Sequence, residues 1–165
     1  MGGPSFPVNT RVLPARELAR RYDWGMATAA KELDLTKIWL FSTCSGKDIR
    51  TLHKALEEVT VPAGKVLCEE GTIGREFFII VSGQASVRRK GRKVATLGST
   101  QYFGELALLD RLTRSATLIA DTEMSLLVLG QREFNGVLDD VPPLSRKLLA
   151  AMAARVREAD ARAFH

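Results

Sequence analysis

Between Leu33 and Leu56 the apolar residues recur at helical spacings. Leu35, Ile38 and Trp39 form one group; Ile49, Leu52 and Leu56 form a second. Ser45, followed three positions later by Asp48, reads as an N-cap with an acid at the third helical position. The spacing predicts two short helices broken around Ser42 to Ser45. From Val59 to Leu129 short apolar stretches alternate with turn residues. Strands are expected over 59–61, 65–69, 77–81, 84–89, 93–97, 117–120 and 124–129, punctuated by Pro62-Ala63-Gly64, Gly71 to Gly74, Gly83, Gly91 and Gly98 to Gln101. Many short strands with close, regular turns indicate a β-sandwich or small barrel.

Helical spacing returns after Gly130. Residues 131–138 predict a short helix, and Pro142-Pro143 suits the first turn of a longer one. There Leu144, Leu148, Met152 and Val156 form a stripe at i, i+4, i+8 within an alanine-rich background. The stripe is expected to pack on the strands or to pair with another copy, making a homodimer. Residues 1–25 hold three of the six prolines, three glycines and no period, with only two weak helical turns over 16–22. They are expected to be a flexible extension. One domain is then expected over 26–165, opening at Met26, which itself resembles a start.

Composition narrows the class. At 45 % hydrophobic residues the 165-residue chain suits one globular domain. No apolar run is long enough to span a bilayer, no basic-then-apolar leader opens the chain, and Phe6 breaks a myristoylation pattern. The expected compartment is the cytoplasm, with Cys44 and Cys68 as reduced thiols. The net charge of +5 is scattered; its densest run, Arg88 to Lys93, surrounds a hairpin glycine, so DNA binding is not expected. His53 and His165 have no partners at metal spacing, and neither a nucleophile elbow nor a Walker loop is present. Neither an enzyme, nor a metal site, nor a cofactor is expected.

The chemistry gathers between Phe103 and Ala116. Gly104 allows close backbone approach or positive φ. The helix formers Leu106 to Leu109 would follow it with free N–H groups at their start, an end that attracts anions. Arg114 supplies a fork that fits a phosphate bidentately, and Ser115 adds a hydroxyl. Glu105, an acceptor when ionised, fits a sugar hydroxyl. An acid for a hydroxyl, an arginine for a phosphate and a helix end between them describe a nucleotide site.

Phe103-Gly104-Glu105, Leu106-Ala107-Leu108 and Arg114-Ser115-Ala116 resemble the phosphate-binding cassette of the cyclic-nucleotide-binding domain family, of the catabolite activator and cAMP-dependent kinase regulatory-subunit type. Upstream, Gly71, Gly74, Phe77, Ile79 and Gly83 match the family's turn glycines and roll core. The resemblance covers about residues 35–160. It implies an α+β, mainly β fold: an eight-stranded antiparallel β-roll (jelly roll) with flanking N-terminal helices and a long C-terminal helix. It implies that Glu105 binds the ribose 2′-hydroxyl and that Arg114 pairs with the cyclic phosphate. The backbone N–H groups of Leu106 and Ala107, with the Ser115 side chain, would help hold that phosphate, and the last helix would close over the base. Arg155 and Asp160 are the expected base contacts, and Ser115 leans towards cAMP over cGMP by resemblance to bacterial members. Two departures stand out: Thr113 where a proline often precedes the arginine, and Arg75 where an acid often follows the second glycine.

The expected function is a non-enzymatic cyclic-nucleotide sensor whose last helix moves on binding to regulate an effector protein. A DNA-reading module would have to follow that helix, and the chain is read as a stand-alone sensor without one. The alternative is a ligand-free scaffold or interaction subunit that keeps the fold.

Overall fold

The computed structural model describes residues 33–104, 109 and 112–163. The expected extension over residues 1–25, and the boundary at Met26, lie outside them. The described chain opens with two 3₁₀ turns, Leu35–Lys37 and Trp39–Phe41, where sequence spacing suggested a helix. The reason is local. Asp34 caps the first turn by accepting the Thr36 N–H at 3.0 Å, and Ile38 between the turns is extended at φ −79°, ψ 123°. Helix α1, Gly46–Ala55, follows the expected cap: the Asp48 N–H donates to Ser45 Oγ at 3.1 Å, and the Ser45 N–H donates to Asp48 Oδ2 at 3.0 Å.

Eight strands follow among the described residues. They are β1 (Glu57–Val61), β2 (Val66–Cys68), β3 (Glu76–Ser82), β4 (Ala85–Arg89), β5 (Arg92–Leu97), β6 (Tyr102–Phe103), β7 (Thr117–Ala120) and β8 (Met124–Gly130). They pair antiparallel in two four-stranded sheets, β1-β8-β3-β6 and β2-β7-β4-β5. This is the expected antiparallel β-roll. Strand β6 carries no readable pattern, because two residues cannot show a period. Its register against β3 (Phe78 opposite Phe103, Ile79 opposite Tyr102) identifies it only in three dimensions. β4 and β5 form a hairpin through Lys90 and Gly91, at φ 50° and 77°, the two positive-φ positions of a type I′ turn.

Helices α2 (Gln131–Asp140) and α3 (Pro142–Ala163) close the described chain. Residues 77–81 of β3 and 126–129 of β8 are uninterrupted apolar runs because both their faces are covered. Phe77, Ile79 and Val81, with Leu127 and Leu129, pack against the helices. Phe78 and Ile80, with Leu126 and Val128, fill the roll. The apolar stripe of α3 divides along its length. Leu144 and Leu148 are buried, Met152 is half-buried, and Val156 is 60 % exposed because α3 runs past the core.

Candidate functional site

Strand β6 ends at Phe103, whose ring stacks on Phe78 with centroids 4.6 Å apart. The next residue, Gly104, has φ +94°. That conformation turns its carbonyl to Arg114, whose Nη1 donates to it at 3.0 Å. Nη2 donates to the Glu76 carbonyl at 2.6 Å, and the guanidinium carbon lies 5.9 Å from the Phe78 ring centroid. Arg114 is thus a buried arginine, 7 % exposed, fixed by two carbonyls and an aromatic face. A guanidinium has five N–H donors, so three remain beyond these two bonds.

The Arg114 backbone is fixed as firmly. Its N–H donates to the Thr72 carbonyl at 2.7 Å, and the Gly71 N–H donates to its carbonyl at 2.9 Å. Thr113, the residue standing where a proline is often found, forms a β-bridge with Ile73. The glycine turn after β2 and the segment before β7, separate motifs in the sequence, are therefore one hydrogen-bonded unit.

Arg114 borders a pocket of about 280 Å³ lined by residues of β2, β4, β5, β6 and β7. Phe103, Gly104, Ser115, Ala116 and, from α3, Arg155 line it too, so five of the expected site residues meet there with Arg114. Asp160 is exposed further along α3 and does not border the pocket. Glu105, Leu106 and Ala107 lie outside the described residues. Sequence reasoning missed the sheet wall: Cys68, Val87, Arg89, Leu97, Tyr102 and Leu118. Strand alternation could have found part of it, since Val87 and Arg89 are two apart and share a face. Burial pushes the Cys68 thiol above its ordinary pKa; Arg114 and a backbone hydrogen bond oppose this only in part. Cys68 therefore borders the pocket as a neutral group, leaving Arg89, Arg114 and Arg155 as the charged side chains among its described lining residues.

An antiparallel β-roll with a buried arginine at a pocket that one residue of the last helix, Arg155, also lines defines the class of domain. The family model described as "Cyclic nucleotide-binding domain" matches residues 58–140, half of the chain. The cAMP-dependent protein kinase regulatory subunit of Yarrowia lipolytica is 36 % identical over 109 residues, covering 65 % of this chain and 29 % of that protein. The catabolite activator protein of Thermus thermophilus superposes with a TM-score of 0.69 at 28 % identity, covering 74 % of this chain and 60 % of that one. The regulatory domain of Toxoplasma gondii PKA, solved with cAMP, gives a TM-score of 0.59 at 33 % identity, covering 62 % and 41 % respectively. This chain belongs to the cyclic nucleotide-binding domain family. It spans less than a third of the length of the Yarrowia relative.

Proposed function

We propose that this chain is a non-catalytic sensor of a cyclic purine nucleotide, cAMP in preference to cGMP, working in the cytoplasm. The observation that carries the reading is Arg114, held rigid at the pocket wall with N–H donors to spare. The cyclic phosphate takes those donors, Ser115 adds its hydroxyl, and the N–H groups of Leu106 and Ala107 complete the cradle. Glu105 accepts from the ribose 2′-hydroxyl. The base lies under α3, with Arg155 against it; Asp160, which does not border the pocket, accepts from the adenine amino group only once α3 closes over the base. The preference for cAMP draws on the kinase relative, whose name carries cAMP, and on the Toxoplasma domain solved with it.

The output is a shift of α3. Every described residue of α3 from 153 onward is exposed, so its last turns are not anchored in the core. Arg155 belongs both to those turns and to the pocket. A ligand that draws on Arg155 biases the helix between two positions, and an effector protein reads the difference. The test is calorimetric titration of the chain and of Arg114→Ala with cAMP and cGMP. The unaltered chain gives saturable heat with cAMP and weaker binding of cGMP. Loss of charge-assisted bonds lowers the affinity of Arg114→Ala by about 100-fold or more. Absence of heat with both nucleotides ends the sensor reading.

A further inference from the structure

Strand β4 carries a second pocket arginine. Val87 and Leu118 lie opposite each other and both line the pocket, so Arg89, two residues beyond Val87, faces the same way. Register sets its depth. Arg88 pairs with Thr117, which brings Arg89 level with Ala116, two residues along the chain from Arg114. Arg89 therefore stands on the sheet wall beside the segment that holds the buried arginine.

Its electrostatic setting costs the fold something. Arg89 lies directly opposite Arg92, and Arg88 is registered with Lys93. Like charges directly opposite each other destabilise a sheet. Residues 84–104 contain five cations and no acid. The nearby Glu70 carboxylate accepts the Lys90 backbone N–H at 2.9 Å. No hydrogen bond or ion pair to a described residue engages the Arg89 side chain. An anion in the pocket would offset this repulsion.

We infer that Arg89 is a second cationic residue of the ligand site, drawing the phosphate of the nucleotide towards the pocket from the sheet wall while Arg114 holds it. This rests on the nucleotide-binding reading above. Because Arg89 acts through charge at an exposed rim, its contribution is the same for both bases and is screened by salt.

The test is titration of the full chain, Arg89→Ala, Arg89→Lys and Arg92→Ala with cAMP and cGMP at low and high salt. Arg89→Ala weakens both nucleotides by about 5–10-fold at 50 mM salt and by about 2-fold or less at 500 mM, as screening predicts. Arg89→Lys keeps most of the affinity, and Arg92→Ala, whose side chain does not line the pocket, keeps all of it. Without ligand, Arg89→Ala melts at or above the temperature of the unaltered chain, since a like-charge pair has gone. Unchanged affinity at low salt overturns the inference. So does loss for one base only, which would make Arg89 a base reader, and so does a fall in the ligand-free melting temperature, which would make it a packing residue. Failure of the unaltered chain to bind either nucleotide sinks the nucleotide reading itself, and this inference with it.

Discussion

Gly104 serves the pocket through a neighbour. A Cβ there would come 2.5 Å from Arg114 Nη1 and 2.7 Å from the Glu76 carbonyl oxygen, at a φ of +94°. Gly83 makes a matched comparison. Its φ is +91°, and a Cβ would run into the Glu123 carbonyl and the start of β8, away from the pocket lining. Each glycine-to-alanine change costs about 1–3 kcal/mol of backbone strain. Urea denaturation is expected to find both variants destabilised to that extent. Titration then separates them: Gly104→Ala loses more than about tenfold in cAMP affinity because Arg114 is displaced, and Gly83→Ala stays within about twofold, as distant sites do. The need for glycine at 104 was legible in the sequence, as close approach or positive φ. That its tight neighbour is the arginine ten residues on was not, because local spacing does not report which way a side chain turns. Arg89 was passed over for a related reason. A cation at a hairpin tip reads as solvated until the partner strand's register shows which face it occupies.

At the scale of elements, the sequence was most informative where one local signal settled the outcome. Ser45 and Asp48 announced α1, the Pro142-Pro143 pair announced α3, and the paired glycines bounded β3. It was least informative where length or tertiary context decided. Tyr102–Phe103 is too short to show alternation, and the extended Ile38 splits what spacing alone joins into a helix. The α3 stripe misleads in another way. Four apolar residues at helical spacing suggest one buried face, but burial ends where the core ends, at Leu148 and Met152. This decides how α3 should be shortened. Ending the chain after Pro143 removes Leu144 and Leu148, each worth about 1.5–3 kcal/mol when buried, and would unfold the protein before testing the pocket. Ending it after Ala153 spares both leucines and removes Arg155. The shorter cut is expected to leave the melting temperature within about 4 °C of the intact chain, a change of about 1 kcal/mol at this size. It is expected to weaken cAMP binding by about tenfold, roughly the worth of a charge-assisted contact. Unchanged affinity after that cut would detach the helix from the ligand.

Across the whole molecule, the two cores are not independent. Alternate residues of β3 and β8 serve opposite sides, so neither core can open without exposing the strands the other needs. Phe77 packs its ring 5.6 Å from Phe134 on the helix side, and the adjacent Phe78 stacks on Phe103 in the roll. A single unfolding transition follows from this shared wall. Ligand bound on the roll side must then stabilise the helix side equally. At a hundredfold excess over the dissociation constant the gain is about 2.7 kcal/mol, or roughly 5–11 °C for a chain of this size. Phe134→Leu separates stability from binding. Phe134 is 1 % exposed and does not line the pocket. Its shortening should lower the melting temperature of the ligand-free chain by a few degrees, for a loss of about 1–2 kcal/mol. The cAMP-induced rise should nevertheless match that of the unaltered chain, because a loss on one side of the wall and a gain on the other add when the molecule unfolds as a unit. Arg114→Ala should rise by no more than about 2 °C at the same nucleotide concentration. Calorimetric scanning of the three proteins with and without cAMP reads all of this together. Two separate transitions, or a rise in Phe134→Leu confined to one of them, would mean that β3 and β8 do not couple the pocket to the helices. The proposed route from nucleotide to α3 would then have to run through Arg155 alone.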